Sequence, residues 1–202
     1  LGGGRTQFAT GEFSTVSGGD SNDASGDNST ISGGNFNRAD GIFSNISGGR
    51  TNHTIGTAST VGGGELNISG GANSTVAGGA LNKAIGFASS IGGGKSNTSN
   101  GGRSVIGGGI ENVTDSLGTS ILGGSFNKAR GFYSTIGGGY ENETRGDTST
   151  ISGGFQNMID TLSSFATISG GGNNIIDSLS VYATISVGSN NSIDSVAEYY
   201  NI

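Results

Sequence analysis

One aliphatic residue recurs every fifteen residues along most of the chain, in a constant setting of small polar residues and glycines. The stretch Ser29–Phe43 (STISGGNFNRADGIF) shows the pattern, whose consensus is S-T-[IV]-[SG]-G-G-x-x-N-x-A-x-G-x-x. We call each copy a rung and number its positions one to fifteen. A fixed short period is the signature of a solenoid. Rungs begin at Ser14, Ser29, Ser44, Ser59, Ser74, Ser89, Ser104, Thr119, Ser134 and Ser149, and, after the spacing grows to seventeen residues, at Ala166 and Ala183.

Each rung is predicted to contain two short strands and two tight turns. The segments at positions one to five and nine to thirteen alternate in polarity, and they are too short and too rich in glycine for helices. Stacked rungs form an all-β, parallel β-solenoid or β-roll of about 13 rungs, with two short strands in each rung of 15–17 residues. We expect residues 1–202 to form a single β-solenoid domain, with regular rungs over 1–148 and longer rungs over 149–202. Because Leu1 and Ile202 both fall at position three, we expect the chain to be an excerpt of a longer protein.

Side chains of successive strand residues point to opposite faces, and this assigns the positions within a rung. Positions one, three, five, nine, eleven and thirteen are predicted to face inward, so that the aliphatic residue at three opposes a small residue at eleven. The nine basic and fifteen acidic residues agree with the assignment, because none of them falls at an inward position and an unpaired charge is costly to bury. In the last rungs Ile159, Ile176 and Ile193 occupy position eleven and predict a wider core.

Position nine is predicted to carry a column of buried asparagines. A stacked asparagine can bond the turn backbone and the equivalent residue of the next rung, so we interpret the column as scaffold and not as a binding site. Gln7 alone departs from the pattern. The predicted structural ladder consists of Asn22, Asn37, Asn52, Asn67, Asn82, Asn97, Asn112, Asn127, Asn142, Asn157, Asn174 and Asn191.

Positions two and four are predicted to form a flat face without charge, whereas positions ten and twelve carry many charged residues in no repeated order. Threonine also has a high propensity for β-strands, whatever its function. Three interpretations therefore stay open: contact with further copies of the protein, binding to a repetitive surface such as ice, or strand propensity alone. The candidate binding and self-assembly face consists of Thr15, Ser17, Thr30, Ser32, Thr60, Thr75, Thr135, Thr150, Thr167 and Thr184.

The segments Ala39–Gly48 (ADGIFSNISG) and Ala129–Gly138 (ARGFYSTIGG) share the pattern A-x-G-x-x-S-x-[IV]-x-G, which resembles the head repeat of YadA-like trimeric autotransporter adhesins. The resemblance extends over essentially the whole chain. It implies a left-handed parallel β-roll that assembles as a trimer and adheres to host or matrix surfaces. The repeat here is one residue longer, and its aliphatic residue lies at an inward position instead of the outward positions that the family uses.

The composition argues against several other classes of protein. The chain has 43 glycines, no proline and only 31% hydrophobic residues, which is unusual for a globular domain. The strict repeat argues against disorder, and the absence of a three-residue glycine period excludes collagen. A net charge of −6 gives no indication of a nucleic-acid partner. No apolar stretch is long enough to insert into a membrane, and the absence of cysteine fits an extracellular repeat protein.

Few residues offer chemistry, so we predict no enzyme, no cofactor and no metal. The single histidine, His53, lies at a variable outward position. Asp160, Asp177 and Asp194 recur at position twelve of the longer rungs. A cation such as Ca²⁺ could bridge them, but we prefer the interpretation that each opens an Asx turn.

Two further features of the sequence are candidate sites. Phe165, Tyr182 and Tyr199 are predicted to line up at one corner of three successive rungs, as a self-packed column or as a surface for a partner, and self-packing is preferred. The sequence N-x-[ST] outside the asparagine ladder marks candidate N-glycosylation sites at Asn28, Asn45, Asn73 and Asn190.

The sequence therefore predicts a non-enzymatic, extracellular or cell-surface β-solenoid that forms part of a surface fibre or a self-assembling filament. We expect its partners to be other copies of itself, in a trimer or filament, together with a surface, matrix or glycan ligand, and neither nucleic acid nor a membrane. Two alternatives stay open: an ice-binding protein that uses the threonine face, and a segment of a viral or phage fibre.

Overall fold

The structure is a computed structural model that describes residues 2–197 and 199–202. Leu1, which the sequence places at position three, lies outside the described residues. The described residues include no helix, and so no helix that could span a membrane. The chain divides into two compact units, residues 1–100 and residues 101–202.

The first unit contains two parallel sheets whose strands come from alternate halves of successive rungs. Neighbouring strands pair fifteen residues apart, as Ala24 does with Ala39 and Ile31 with Ile46. Strands at positions ten and eleven form one sheet: β1 Phe8–Ala9, β3 Asp23–Ala24, β5 Arg38–Ala39, β7 His53–Thr54, β9 Ile68–Ser69, β11 Lys83–Ala84 and β13 Thr98–Ser99. Strands at positions two and three form the other sheet: β2 Thr15–Val16, β4 Thr30–Ile31, β6 Asn45–Ile46, β8 Thr60–Val61, β10 Thr75–Val76 and β12 Ser90–Ile91.

The second unit repeats this arrangement, and its last strands pair seventeen residues apart, as Ile151 does with Ile168. Strands at positions two and three are β14 Val105–Ile106, β16 Ser120–Ile121, β18 Thr135–Ile136, β20 Thr150–Ile151, β22 Thr167–Ile168 and β24 Thr184–Ile185. Strands at positions ten and eleven are β15 Val113–Thr114, β17 Lys128–Ala129, β19 Glu143–Thr144, β21 Met158–Ile159, β23 Ile175–Ile176 and β25 Ser192–Ile193. The predicted fold class, an all-β parallel β-solenoid with two short strands per rung, is confirmed.

The core lies between the two sheets, as the alternation predicts. The residues at position three from Val16 to Ile185 are fully buried, whereas Ile202 is exposed, and Ala24, Ala39 and Ala84 at position eleven are also fully buried. In the first unit, Thr54 Oγ1 at position eleven donates to Ser44 Oγ at position one over 3.0 Å, which shows how closely the two sheets approach. Ile159, Ile176 and Ile193 in the last rungs are likewise buried.

The prediction that position five faces inward is wrong. A Cβ atom added at Gly33, Gly48 or Gly78 would meet nothing within 4 Å. The crowded glycine is the next one, at position six. Gly34 has a φ of +89°, and a Cβ there would lie 2.6 Å from Asn37 Nδ2 and well inside contact distance of the Gly49 carbonyl oxygen. The strand ends at position three, so strict alternation does not extend to position five.

At both corners of a rung one residue has a left-handed backbone conformation, and in most rungs this residue is not glycine. Position eight and position fifteen have positive φ in rung after rung, as in Phe36 and Phe43, both at 57°. This conformation costs an ordinary residue roughly 1–2 kcal/mol. The cost is offset by hydrogen bonds between rungs, because the N–H of Phe36 donates to Asp20 O and the N–H of Phe43 donates to Asp27 O, each over 2.9 Å. The side chains at these corners are directed outward and are free to vary.

The asparagines at position nine form a continuous hydrogen-bonded ladder within each unit. Asn67 is fully buried, and its Nδ2 donates to Gly63 O over 2.9 Å and to Gly79 O over 2.8 Å. Its Oδ1 accepts from the backbone N–H of Asn82 over 3.0 Å. Each such asparagine therefore closes the turn of its own rung and joins it to the next. In the second unit the same pattern is seen at Asn142.

Candidate functional site

The uncharged face formed by positions two and four is open to solvent in both units. Most residues at position two are half-buried, and most of those at position four are exposed. The face is not uniformly polar, because Val105 and Leu122 are exposed on it at 41% and 64%. Of the predicted face residues, Thr15, Ser17 and Ser32 are exposed, and Thr30, Thr60, Thr75, Thr135, Thr150, Thr167 and Thr184 are half-buried.

Asp40 is the centre of a small charged cluster on the opposite sheet of the first unit. It accepts from Ser25 Oγ over 2.7 Å and from Arg38 Nε over 2.7 Å, and His53 Nε2 lies 2.8 Å from its Oδ2. Partial burial tends to raise the pKa of Asp40, but the hydrogen bonds from Ser25, Arg38 and His53 outweigh it and hold that pKa below its usual value. The single histidine is therefore part of a structural cluster between rungs.

Asp40→Asn is expected to reduce the acid sensitivity of the first unit. Because the folded-state pKa of Asp40 is lowered, its contribution is fully present above the ordinary aspartate pKa of about 4. That contribution is lost as the pH falls through the folded-state value. We expect the substitution to cost about 1 kcal/mol at neutral pH, and less in strong acid. Denaturant midpoints measured from neutral to acid pH test this, and curves that stay parallel at all pH values would contradict it.

A chain of ion pairs runs along the same face in the second unit. Glu143 Oε1 accepts from Arg130 Nη1 over 2.6 Å and from Arg145 Nε over 2.8 Å. Arg130 also contacts Asp115, and Arg145 contacts Asp160, each over 3.2 Å. One carboxylate oxygen of Glu143 is therefore fixed between two guanidinium groups from adjacent rungs.

In the aspartate column of the longer rungs, two side chains accept a hydrogen bond from the backbone N–H of the very next residue, whereas an Asx turn bonds the residue two places on. Asp160 Oδ1 accepts from the backbone N–H of Thr161 over 2.7 Å, and Asp177 Oδ1 accepts from that of Ser178 over 2.8 Å. Within the described part of the chain, no group of three or more acidic, histidine or cysteine side chains could hold a metal ion.

Aromatic side chains form two stacks at the corners of the second unit. Phe165 and Tyr182 stack with ring centroids 5.1 Å apart, and Tyr182 and Tyr199 stack at 5.0 Å. This geometry agrees with self-packing, although the rings remain 44–72% exposed. A second stack was not anticipated from the sequence: Tyr140 packs face to face on Phe155 at 5.6 Å and edge-on to Phe126 at 5.4 Å. Phe126 lies at position eight, whereas Tyr140 and Phe155 lie at position seven, so no single column of the repeat contains all three.

The candidate glycosylation sites differ in exposure. Asn28, Asn73 and Asn190 are exposed at corners, with φ of 56–57°. Asn45 is half-buried on the uncharged face, and its Oδ1 is buried without a hydrogen-bond partner among the described residues. The first three corners are therefore accessible to a modifying enzyme, and Asn45 is less so.

A groove lies between positions eight and ten of three successive rungs in the second unit. We call it the Phe126 groove. It encloses about 380 Å³ above the buried Asn142 and Asn157 of the ladder. The groove is lined at position eight by Phe126, Glu141 and Gln156 and at position ten by Lys128, Glu143 and Met158.

The first unit has a groove of about 320 Å³ at the same two positions, which we call the Phe36 groove. Phe36 and Leu66 stand on either side of the smaller Thr51 at position eight, and Arg38, His53 and Ile68 line position ten. The two grooves therefore share a location and an aromatic residue, but their polar groups differ.

Comparison with known protein families gives a match to a surface-protein repeat. The model of the ubiquitous surface protein adhesin repeat matches residues 14–26. These residues cover positions one to thirteen of one rung, including β2, β3 and the ladder residue Asn22. No curated protein matches significantly. The short match and the parallel β-solenoid together fit the YadA-like head repeat that the sequence resembles.

Proposed function

We propose that the chain is a non-enzymatic, structural and adhesive segment of an extracellular or cell-surface fibre, in which copies of the chain contact one another through the uncharged face. The match to a surface-protein adhesin repeat and the solenoid fold support a surface adhesin-like structural role. The observation that carries the proposal is the division of the molecule's surface: positions two and four are free of charge in every rung, whereas ion pairs cover the opposite sheet.

The distribution of charge supports self-association through the uncharged face. Desolvating a charge is costly, and interfaces are accordingly depleted of charged residues at their centre. The exposed Val105 and Leu122 add apolar area to this face. A flat row of short side chains on parallel strands is suited to sheet-on-sheet packing at about 10 Å.

Thr60→Lys is expected to weaken self-association at least tenfold, because it places an unpaired ammonium group in the middle of the uncharged face. Sedimentation equilibrium of the purified chain is expected to give the mass of several copies, and the variant a smaller mass. Thr98→Lys is the matched control, since Thr98 is also a half-buried strand threonine but lies on the charged sheet.

Three results bear on the alternatives. A wild-type chain that stays monomeric at high concentration would contradict the self-association. An equal loss in the Thr98→Lys variant would show that the uncharged face is not the contact. Thermal hysteresis of the wild-type chain that Thr60→Lys abolishes would instead favour ice binding.

A further inference from the structure

We propose that the Phe126 groove is a binding site for a neutral pyranose sugar, such as the terminal residue of a glycan. The inference rests on the proposed adhesive function, for which it supplies one class of ligand. The volume of the Phe126 groove, about 380 Å³, falls within the range of roughly 300–1,000 Å³ that is usual for small-ligand sites.

Four of the side chains that line the groove are held in place by contacts with neighbouring side chains. Phe126 packs edge-on against Tyr140 at 5.4 Å. Glu143 is fixed through Oε1 by the two arginines of the ion-pair chain. Glu141 Oε2 accepts from Gln156 Nε2 over 2.6 Å. Little ordering is therefore needed when a ligand binds, and preorganisation of this kind favours affinity.

The chemistry of the groove matches a sugar ring. The Phe126 side chain is partly exposed and lines the groove, and it offers an apolar surface for the C–H face of a pyranose. Around it stand carboxylates that accept hydrogen bonds, an amide that both donates and accepts, and the Lys128 ammonium that only donates. Hydroxyl groups both donate and accept, so a polyol can use all of these groups at once.

The charges favour a neutral ligand over an ionic one. Lys128 forms no ion pair among the described residues, and it faces two carboxylates, those of Glu141 and Glu143, across the same groove. An acidic sugar would be attracted by the lysine but repelled by both glutamates. A cationic ligand would meet the lysine ammonium. A neutral polyhydroxylated ring meets neither repulsion.

The Phe36 groove shows which of these features are specific. It has an aromatic residue at the same position and with nearly the same φ, 57° against 60° for Phe126. However, Thr51 and Leu66 take the places of Glu141 and Gln156 at position eight, and Ile68 takes a place at position ten. The Phe36 groove can pack against a ring but offers few groups to bind its hydroxyls, so we expect no sugar there.

The test is saturation-transfer difference NMR on the full chain with methyl pyranosides of glucose, galactose, mannose and N-acetylglucosamine. At least one is expected to show transfer to its ring protons, with a dissociation constant on the order of 1–10 mM, as befits a single ring. Phe126→Ala is expected to reduce the transfer at least fivefold. Phe36→Ala is its matched control, because it removes an aromatic ring from the same corner of a different rung and is expected to change nothing.

Glu141→Ala provides a second variant, with Glu111→Ala as its control. Both glutamates are exposed at position eight of the second unit, and both have a φ of 54°. Glu141 differs in that it lines the groove and accepts from Gln156 there. We expect binding to weaken at least fivefold in Glu141→Ala alone. No transfer from any of the four sugars, or equal loss in variant and control, would overturn the proposal, as would binding confined to sialylated or sulfated glycosides. A chain that self-associates through the uncharged face but binds no sugar would contradict this site and leave the proposed fibre role intact.

Discussion

Asn67→Asp is expected to destabilise the first unit by about 3–5 kcal/mol, the largest effect of any single substitution considered for this protein. Asn67 is fully buried, and its Nδ2 donates to two glycine carbonyl oxygens, those of Gly63 and Gly79. Aspartate has the same shape but no donor, so a carboxylate oxygen would face both carbonyls without a proton between them. The charge would also be buried with no cation nearby among the described residues of the ladder.

Asn73→Asp is the matched control, because it makes the same chemical change at an exposed corner of the same unit. We expect it to change stability by no more than about 0.5 kcal/mol. Denaturant midpoints, together with hydrogen exchange of the Asn82 amide that bonds to Asn67 Oδ1, measure both the overall and the local effect. Exchange is needed because repeat arrays often do not unfold in two states.

The pH dependence of the Asn67→Asp variant separates the two causes of its instability. A buried carboxylate without a partner has a raised pKa, so the variant is expected to regain stability as the pH is lowered and the group becomes protonated. The protonated acid can donate one hydrogen bond to one of the two carbonyls. A destabilisation that does not depend on pH would show that the ladder responds to lost donors alone, and equal stability of the Asn67 and Asn73 variants would contradict the ladder's role.

The inward columns of the solenoid could be predicted because the period repeats them with little variation. The residue types of Ile31 and Asn37 recur at the same positions in other rungs, because a residue that must fit between two close sheets has few alternatives. The absence of charge from the inward positions gave an independent check, since the cost of burying a charge does not depend on the details of packing. The same reasoning holds at Ile159, which is buried and larger than the alanine, serine or threonine at position eleven of the earlier rungs.

The corners and the groove could not be predicted in the same way. A left-handed backbone is normally signalled by glycine or asparagine, but Phe36 and Phe43 have no such signature, since hydrogen bonds between rungs hold them there. The Phe126 groove depends on side chains from positions eight and ten of three rungs. Because these positions face outward and vary freely, the repeat carries no signal for a site that only a few rungs form.

The pair of glycines at positions five and six shows why alternation misassigned a position. Alternation holds only while the chain is a strand, and the strand before these glycines covers positions two and three alone. From position four onward the backbone turns, so the residue that approaches the next rung is not the one that counting by twos selects. Gly34 meets the Gly49 carbonyl, which is also the group that accepts from Asn37 Nδ2 over 2.9 Å. The glycine at six and the asparagine at nine are therefore required by the same contact.

Gly34→Ala is expected to destabilise the first unit by about 2–5 kcal/mol, from a strained φ and from overpacking. Its Cβ would be forced against the Gly49 carbonyl oxygen and would lie 2.6 Å from Asn37 Nδ2, so the substitution must break the ladder bond or move the next rung. Gly33→Ala is expected to be neutral or to stabilise by up to about 1 kcal/mol. A Cβ there meets nothing within 4 Å, φ is not in the left-handed region, and alanine restricts the unfolded chain.

The two alanine substitutions are expected to change stability differently at adjacent glycines, so their comparison tests the register of the fold. The two variants have the same composition and differ only in which of two neighbouring residues carries a methyl group. The denaturant midpoint is expected to fall for Gly34→Ala and to hold or rise for Gly33→Ala. The protection from hydrogen exchange of the Asn52 amide, which bonds to Asn37 Oδ1, is expected to change in the same direction. If Gly33→Ala were the damaging change, position five would face the core after all. The Asn37 amide could then not reach the next rung through the Gly49 carbonyl, and the ladder would need a different set of acceptors.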